Sequence, residues 1–348
     1  VVPCREHFSD TLENSRYRIL FDSQGEIISL YDKVQQREIL RGKGNMLRAH
    51  VDRGGYFEAW DITEDIERKV YPVNQVEEMV LTEDGPVRKT LKITKQFRSS
   101  RITQWIHIYE DCPRIDFDTK ADFQEKQMLL KAGFDVDVDA ALATYDISMG
   151  NIQRETTRND SYEKAKFEVL THKYMDHSED DHGVAILNDG KYGCDIKGNR
   201  MRITLIKTAG FPDESQDLGL HEFCYSLYPH KGNEKEAHVR EEAYLLNQPL
   251  ETIQGETTMI SQPVICQEDG VMLETLKMAE DGTGVILRFY EHHGMNHEMN
   301  VQWKLPVKKA YRCDILERPT GEKLPMVGEG FLLTVKPYEI ATVKLTVE

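Results

Sequence analysis

Alternation with a period of two dominates the hydrophobic pattern of this chain. In RIDFDTKADF, Ile115, Phe117, Thr119, Ala121 and Phe123 fall on one side and Asp116, Asp118, Lys120 and Asp122 on the other. That is the pattern of a strand with one buried face and one wet face. KTLKITKQF and TQWIHIYED, just before it, alternate in the same way. Nearer the start, RYRILFD and EIISLYDK are joined by Ser23, Gln24 and Gly25, which predicts a compact hairpin. Later runs are ITLIKT, FCYSLYPH, GVILRFYEH, NVQWKL, AYRCDIL and FLLTVKPYEIATVKL, most of them bounded by Gly, Pro, Asn or Asp. One stretch, NEKEAHVREEAYLLNQ, has helical spacing, with Ala237, Val239, Ala243 and Leu246 sharing a face. The pattern predicts a mainly β fold.

At 348 residues the chain exceeds the usual single domain and suits one large β-sandwich plus a smaller one. The polar turn Gln267, Glu268, Asp269, Gly270 follows the strand-like run MISQPVICQ and precedes a fresh series of regularly spaced strands. It sets the expected boundary, with residues 1–268 as the large sandwich and 269–348 as the small one.

Charge narrows the partners. The chain has 44 Lys and Arg against 60 Asp and Glu, a net charge of -16, so it lacks the basic footprint that nucleic acid and anionic membranes demand. No run reaches the ~18 apolar residues of a spanning helix, and VVPCREHFSD has neither the basic flank nor the apolar core of a signal peptide. Six cysteines, Cys4, Cys112, Cys194, Cys224, Cys266 and Cys313, are scattered without a close pair, which predicts reduced, mostly buried thiols and a cytoplasmic protein. The chain opens on Val1 and its first strand-like run begins near Tyr17, so it reads as a fragment of something longer.

Several constellations invite chemistry. GFDVDVDA sets Asp135, Asp137 and Asp139 on one strand face, which reads as a solvated face rather than a cation site, because calcium draws its ligands from curved loops. In EHHGMNHEMN, His293 and His297 stand four apart as on a zinc helix, yet Gly294 and Asn296 oppose a helix there and predict a turn. HSEDDHG, from His177 to Gly183, reads as a solvated acidic loop. Trp60 in FEAWDI is either a stacking platform for a pyranose, with Glu58 and Asp61 as hydroxyl acceptors, or a core indole. Between Tyr145 and Gly193, short apolar runs deliver polar-aromatic loops carrying Tyr145, Arg154, Lys191 and Tyr192, the kind of place where binding residues concentrate. Nothing in spacing selects a nucleophilic triad, a phosphate loop or a carboxylate pair.

The segments YRILFDSQGEIISLYDKVQQREIL, FEAWDI, GNIQRETTRN, AKFEVLTHKYMD, HGVAILNDGKYGCDIKGNRMRITLIK and GLHEFCYSLYPH resemble, in order and spacing, the carboxy-terminal β region of glycoside hydrolase family 38. These are the α-mannosidases, and the likeness is to their cytosolic and bacterial branch. The resemblance implies a large galactose mutarotase-like supersandwich followed by a smaller sandwich. It also implies retaining hydrolysis of α-mannosides with zinc, in which the nucleophile and zinc ligands belong to a catalytic barrel lying before Val1. On that reading this chain holds no catalytic residue and no metal ligand, and alone is inactive. Its loops close one side of the mannose site. Tyr145, five residues before Gly150, stands where a relative's Tyr reaches substrate. Arg154 lies in the Arg-containing loop, and Asp189, Lys191 and Tyr192 lie in a turn near the pocket. One departure bears on substrate preference: Arg154, Glu155, Thr156 and Thr157 stand where related sequences read Arg-Pro-Thr-His. The implied partners are an α-mannoside oligosaccharide, the amino-terminal barrel and a second copy in a homodimer. The competing classes are a stand-alone carbohydrate-binding module, a mutarotase using His107 or His172 as base, and a structural or dimerisation domain.

Overall fold

The structure is a computed structural model that describes residues 3–255, 264–266, 268–304 and 307–347. The chain forms two compact units, Val1–Asp146 with Ile152–Pro249, and Ile147–Asn151 with Leu250–Glu348. Residues 259–263 and Gln267 of the boundary run, and the side chain of Cys4, lie outside what is described. As expected from the alternation, the fold is mainly β.

The first unit is built on a ten-stranded sheet. Its strand order is Pro3–Phe8, Gln75–Asp84, Arg88–Phe97, Ser100–Tyr109, Ile115–Phe123, Gly219–Lys231, His182–Asn188, Tyr174–Ser178, Leu142–Ile147 and Gly150–Glu155. A six-stranded sheet follows the order Val169–Leu170, Gly193–Lys197, Arg200–Thr208, Met128–Asp135, Met46–Val51 and Val70–Pro72. The core lies where the two sheets face each other. Ile115, Phe117, Ala121 and Phe123 are 0% exposed, as their alternation demands. The Phe117 ring sits 5.7 Å from Phe134 of the six-stranded sheet and stacks on Tyr225 at 5.0 Å. Burying each such ring contributes about 1.5–3 kcal/mol. Within this apolar core a polar quartet closes on itself. Asn45 Nδ2 donates to Gln104 Oε1 (2.9 Å), Gln104 Nε2 donates to Tyr225 Oη (2.8 Å) and to Thr119 Oγ1 (3.1 Å), and Tyr225 Oη donates to Asn45 Oδ1 (2.5 Å).

The opening hairpin forms between Tyr17–Phe21 and Ile27–Asp32. Gly25 takes φ +65° at its turn, and Asp22 Oδ1 accepts the amides of Gln24 and Glu26 at 2.9 and 3.0 Å. The helical stretch is shorter than its spacing suggests. It runs Val239–Asn247, because His238 adopts the left-handed conformation (φ 51°) and breaks the backbone after Ala237. Ala237 is buried beside it from the preceding turn, and Val239 and Ala243 face the strands Tyr174–Ser178 and His182–Asn188.

The second unit packs a four-stranded sheet containing His297–Trp303 and Gly330–Val335 against a five-stranded sheet containing Val285–Glu291 and Ile340–Val347. Val301, Phe331, Leu287, Phe289 and Val343, all 0% exposed, make its core. The expected turn in EHHGMNHEMN is present: Gly294 has φ +73°, and the Glu291 carboxylate accepts the amides of His293, Gly294, Met295 and Tyr338. Those amides hold the Glu291 carboxyl below its ordinary range in spite of its burial.

Candidate functional site

One end of the first unit gathers the loops singled out in the sequence. The strand Leu142–Ile147 ends there, His182–Asn188 ends there, and Tyr174–Ser178 and Gly193–Lys197 begin there. Backbone bonds tie the connections together. His172 N donates to Asp146 O (2.9 Å), Thr171 N to Tyr192 O (2.9 Å) and Asn188 N to Lys173 O (2.9 Å). Asn188 then shapes the 188–193 turn, its Oδ1 accepting Gly190 N (3.0 Å) and Lys191 N (2.8 Å) while its Nδ2 donates to His172 O (2.8 Å). That is an Asx-type turn, the reason Asn at a strand end yields a defined loop.

The five expected binding residues take different roles in this arrangement. Tyr145 is 2% exposed, and the Arg154 guanidinium lies 4.6 Å over its ring, so these two come together as a stacked pair. Burial, reinforced by the Cys194 and Asp195 side chains, pushes the Tyr145 phenol well above its ordinary pKa, which keeps it a hydrogen-bonding neutral group. Asp189, though exposed, accepts Cys224 N with both carboxylate oxygens at 3.1 Å, and partial desolvation raises its pKa. Lys191 rests its ammonium 4.5 Å from the Phe223 ring centre, and burial lowers its pKa. Tyr192 is 52% exposed and its ring meets His172 at 5.5 Å. Of the five, Asp189 and Tyr192 are the exposed ones.

Toward the opposite end of the same strands, on the outer face of the ten-stranded sheet, lies a cleft of about 830 Å³ whose walls carry Asp139, Asp176, Glu179, Asp180, Asp181, Glu234 and Lys235. Two of its lining residues, Asp176 and Glu234, belong to a buried polar network that extends from it toward the loops. Arg240 Nη1 meets Asp146 Oδ1 at 2.8 Å, Tyr174 Oη donates to Glu234 Oε1 at 2.6 Å, and His230 Nε2 contacts Asp176 Oδ1 at 2.8 Å. Burial, aided by the charge of Asp176, raises the Glu234 carboxyl above its usual range against the pull of the Tyr174 hydroxyl. Such a cleft offers acceptors for hydroxyl groups. Sequence reading missed Asp146, Asp176, Glu234 and Arg240. Only the sheet order joins positions so far apart in the chain, and the one local signal is the helical spacing that places Arg240 beside Val239.

The other sequence candidates resolve plainly. The strand ends at Asp135, which is chelated by Arg200 (2.6 and 2.8 Å), and Asp137 beyond it pairs with Arg37 and Arg41, so these two carboxylates are ion-paired rather than set on one strand face. Trp60 is 70% exposed, whereas Glu58 is buried and anchors its loop by accepting Gln127 Nε2 (2.9 Å) and Gly210 N (2.5 Å). His107 is buried on the Thr90 hydroxyl at 2.8 Å. Glu179, Asp181 and His182 stand close enough to share an ion, but His182 already places Nδ1 on Asp181 (2.7 Å) and Nε2 on Asp137 O (3.0 Å).

Comparison with known proteins places the chain. Its sequence is 32% identical to "Alpha-mannosidase 2C1" of Homo sapiens over 351 aligned residues, covering 98% of this chain and 34% of the relative. It is 31% identical to "Alpha-mannosidase G" of Dictyostelium discoideum, covering 95% of this chain and 32% of that protein. The chain therefore spans about a third of the length of these curated relatives. In fold it resembles an alpha-mannosidase from Enterococcus faecalis V583, with a TM-score of 0.80 at 16% identity, over 99% of this chain and 43% of that one. The profile described as "Glycosyl hydrolases family 38 C-terminal domain" matches residues 12–215, and "Glycosyl hydrolases family 38 C-terminal beta sandwich domain" matches residues 270–343. The chain belongs to the carboxy-terminal region of glycosyl hydrolase family 38.

Proposed function

We propose that this chain is the carboxy-terminal part of an α-mannosidase that releases terminal α-mannosides with retention, and that its loops close one side of the mannose site. The observation that carries this reading is the match across 98% of the chain to a protein named as an α-mannosidase, together with both carboxy-terminal profiles of the family. In the proposal, residues 1–268 form the site-closing supersandwich and 269–348 a supporting sandwich. Tyr145, Arg154, Asp189, Lys191 and Tyr192 supply binding or its scaffold. The exposed ring of Tyr192 on the 188–193 turn supports a polyhydroxylated ligand there. The nucleophile, the zinc ligands and the acid belong to the amino-terminal barrel of the same protein, and no step of the chemistry is routed through this chain. Free thiols at Cys112, Cys194, Cys224, Cys266 and Cys313 support a cytoplasmic setting, and among the described residues no helix is long and apolar enough to cross a membrane. The homodimer rests on the family resemblance alone.

The test compares the full-length protein with this chain on an aryl α-mannoside, with and without a chelator. The full protein should turn over, lose activity on chelation and regain it with zinc, while the purified chain should stay silent. Turnover by the chain itself, surviving repeated purification, would overturn the assignment of the machinery to the barrel.

A further inference from the structure

The outer face of the six-stranded sheet is unusually polar for a buried surface. Along Met46–Val51, Leu47 and Ala49 point to the core, so Met46, Arg48 and His50 point outward. Register places Gly133 opposite Met46, Lys131 opposite Arg48, and Arg202 opposite Gly133 on the next strand. The short 3-10 helix Glu64–Glu67 closes one side, with Ile66 buried. Between them lies a cavity of about 270 Å³, lined among others by Met46, His50, Glu67, Lys131, Gly133 and Arg202.

We propose that this cavity is a binding site for a single neutral sugar or a polyol of that size. The inference does not depend on the proposed mannosidase activity.

Three observations support it. His50 is 2% exposed and lines the cavity: Nδ1 contacts Ile66 O at 3.0 Å, which fixes the proton there, and the buried Nε2 has no partner among the described residues. Burial, with the nearby charges of Lys131 and Arg202, lowers the His50 pKa and so favours the neutral imidazole, whose unsatisfied Nε2 a hydroxyl entering from the cavity would pair.

The cations of the lining are already neutralised. Arg48 meets Glu26 at 2.6 Å, Lys131 meets Glu168 and, at 2.8 Å, Asp195, Arg200 meets Asp135 at 2.6 Å, and Arg202 meets Asp195 and Glu67 at 2.8 Å each. An anion would find no uncompensated charge, whereas guanidinium groups held rigid by carboxylates still offer N–H edges to neutral hydroxyls. Met46 and Val70 supply apolar wall for the C–H face of a ring.

Gly133 keeps the space open without any backbone need. Its φ is not positive, and a Cβ there would lie 3.5 Å from Arg202 Cγ and 3.6 Å from Met46 Cε, ordinary contact distances. A side chain at this position fits the strand and projects into the cavity. The volume, just under the ~300–1,000 Å³ of common ligand pockets, suits one ring rather than an oligosaccharide.

The experiment follows the ¹³C-labelled ε-methyl of Met46 in the full-length protein, assigned with Met46→Leu, during titration with D-mannose, D-glucose, myo-inositol and inorganic phosphate. A saturable shift with at least one neutral ligand is expected, with none from phosphate. His50→Ala should weaken it by about tenfold or more, the effect of losing one hydrogen bond at a desolvated site. Gly133→Leu should abolish it while the melting temperature and aryl-mannoside turnover stay at wild-type values, which separates this site from the proposed activity. If Gly133→Leu does not fold, Gly133→Ala should fold and bind more weakly. A Met46 methyl unmoved by every neutral ligand, a response to phosphate alone, or binding undiminished in the folded Gly133 variant would each overturn the proposal.

Discussion

Arg240 places its Nη1 2.8 Å from Asp146 Oδ1, with the two side chains 2% and 1% exposed. The pair joins the helix Val239–Asn247 to the strand end that carries the loops, since Asp146 also accepts Lys173 N on Oδ2 (2.9 Å) and His172 N on its carbonyl (2.9 Å). Removing one partner of a buried ion pair leaves the other charge desolvated and alone, which costs far more than the pair contributes. Arg240→Met should destabilise by about 3–5 kcal/mol. It should lower the urea midpoint at constant m, and Asp146→Leu added to it should recover part of the loss. A single variant within ~0.5 kcal/mol of wild type, the range of ordinary surface changes, would show that the pair does not organise this end of the sheet.

Lys95 gives a pH dependence with a definite sign. It is 1% exposed, its ammonium donates to Gly25 O at 3.1 Å, and burial lowers its pKa from the ordinary 10.5 to about 8. In the unfolded chain Lys95 holds its proton up to about 10.5, so between about 8 and 10.5 the unfolded state binds more protons and stability rises with pH through that window. Below about 8 the full penalty stands, of order 3 kcal/mol. Lys95→Met should remove the rise and stabilise the protein at neutral pH by about 2 kcal/mol, after ~1 kcal/mol for the lost bond to Gly25. Unfolding free energies measured from pH 7 to 10 in both proteins decide it. A wild-type curve that is flat or falling across that range, or parallel curves for the two proteins, contradict the assignment.

The quartet of Asn45, Gln104, Thr119 and Tyr225 is satisfied only as a set. Tyr225→Phe keeps the stack on Phe117 but leaves Asn45 Oδ1 without its 2.5 Å donor and Gln104 Nε2 without its 2.8 Å acceptor. The expected loss is about 1–3 kcal/mol, the cost of unpaired buried polar atoms. Adding Asn45→Leu should cost less than the sum of the two single changes, and strict additivity in that cycle would show that the four groups act independently.

How far the sequence speaks depends on whether a signal is local. The strand Ile115–Phe123 and the Ser23, Gln24, Gly25 turn were legible because alternation and turn chemistry act over a few residues. The start of the helix was not, since nothing in the sequence announces that His238 takes φ 51°. Arg240 counts as a polar position in any helical wheel, and its burial follows only from Asp146, brought to it by the sheet order. Asp135 and Asp137 were legible as acidic positions but not as ion pairs, because Arg200 and Arg37 lie on other strands. Among the candidate binding residues, resemblance picked Tyr145 and Tyr192 alike. Their difference in exposure, 2% against 52%, needs the sandwich to be assembled.

That difference sets the last prediction, which concerns the complete enzyme. Tyr145 is core: its ring is covered by Arg154 at 4.6 Å, and Tyr145→Ala should destabilise by about 3–5 kcal/mol, as for other large buried rings. Tyr145→Phe keeps the ring and the stacked guanidinium, so stability should change by less than ~1 kcal/mol. If the phenol contacts the mannoside, kcat/KM should still fall by about 1–3 kcal/mol in transition-state terms, the cost of leaving a buried polar partner unsatisfied. Tyr192 is the converse case. Its exposed ring contributes little to folding, so Tyr192→Ala should leave the melting temperature unchanged and raise KM, with kcat kept if it holds ground and transition states alike. The two variants partition the loop. Wild-type kinetics in Tyr145→Phe beside a raised KM in Tyr192→Ala assign substrate contact to the 188–193 turn and leave Tyr145 and Arg154 as the packing that holds the hairpin in place. The opposite result requires the Tyr145 phenol to reach the sugar past the guanidinium that covers its ring.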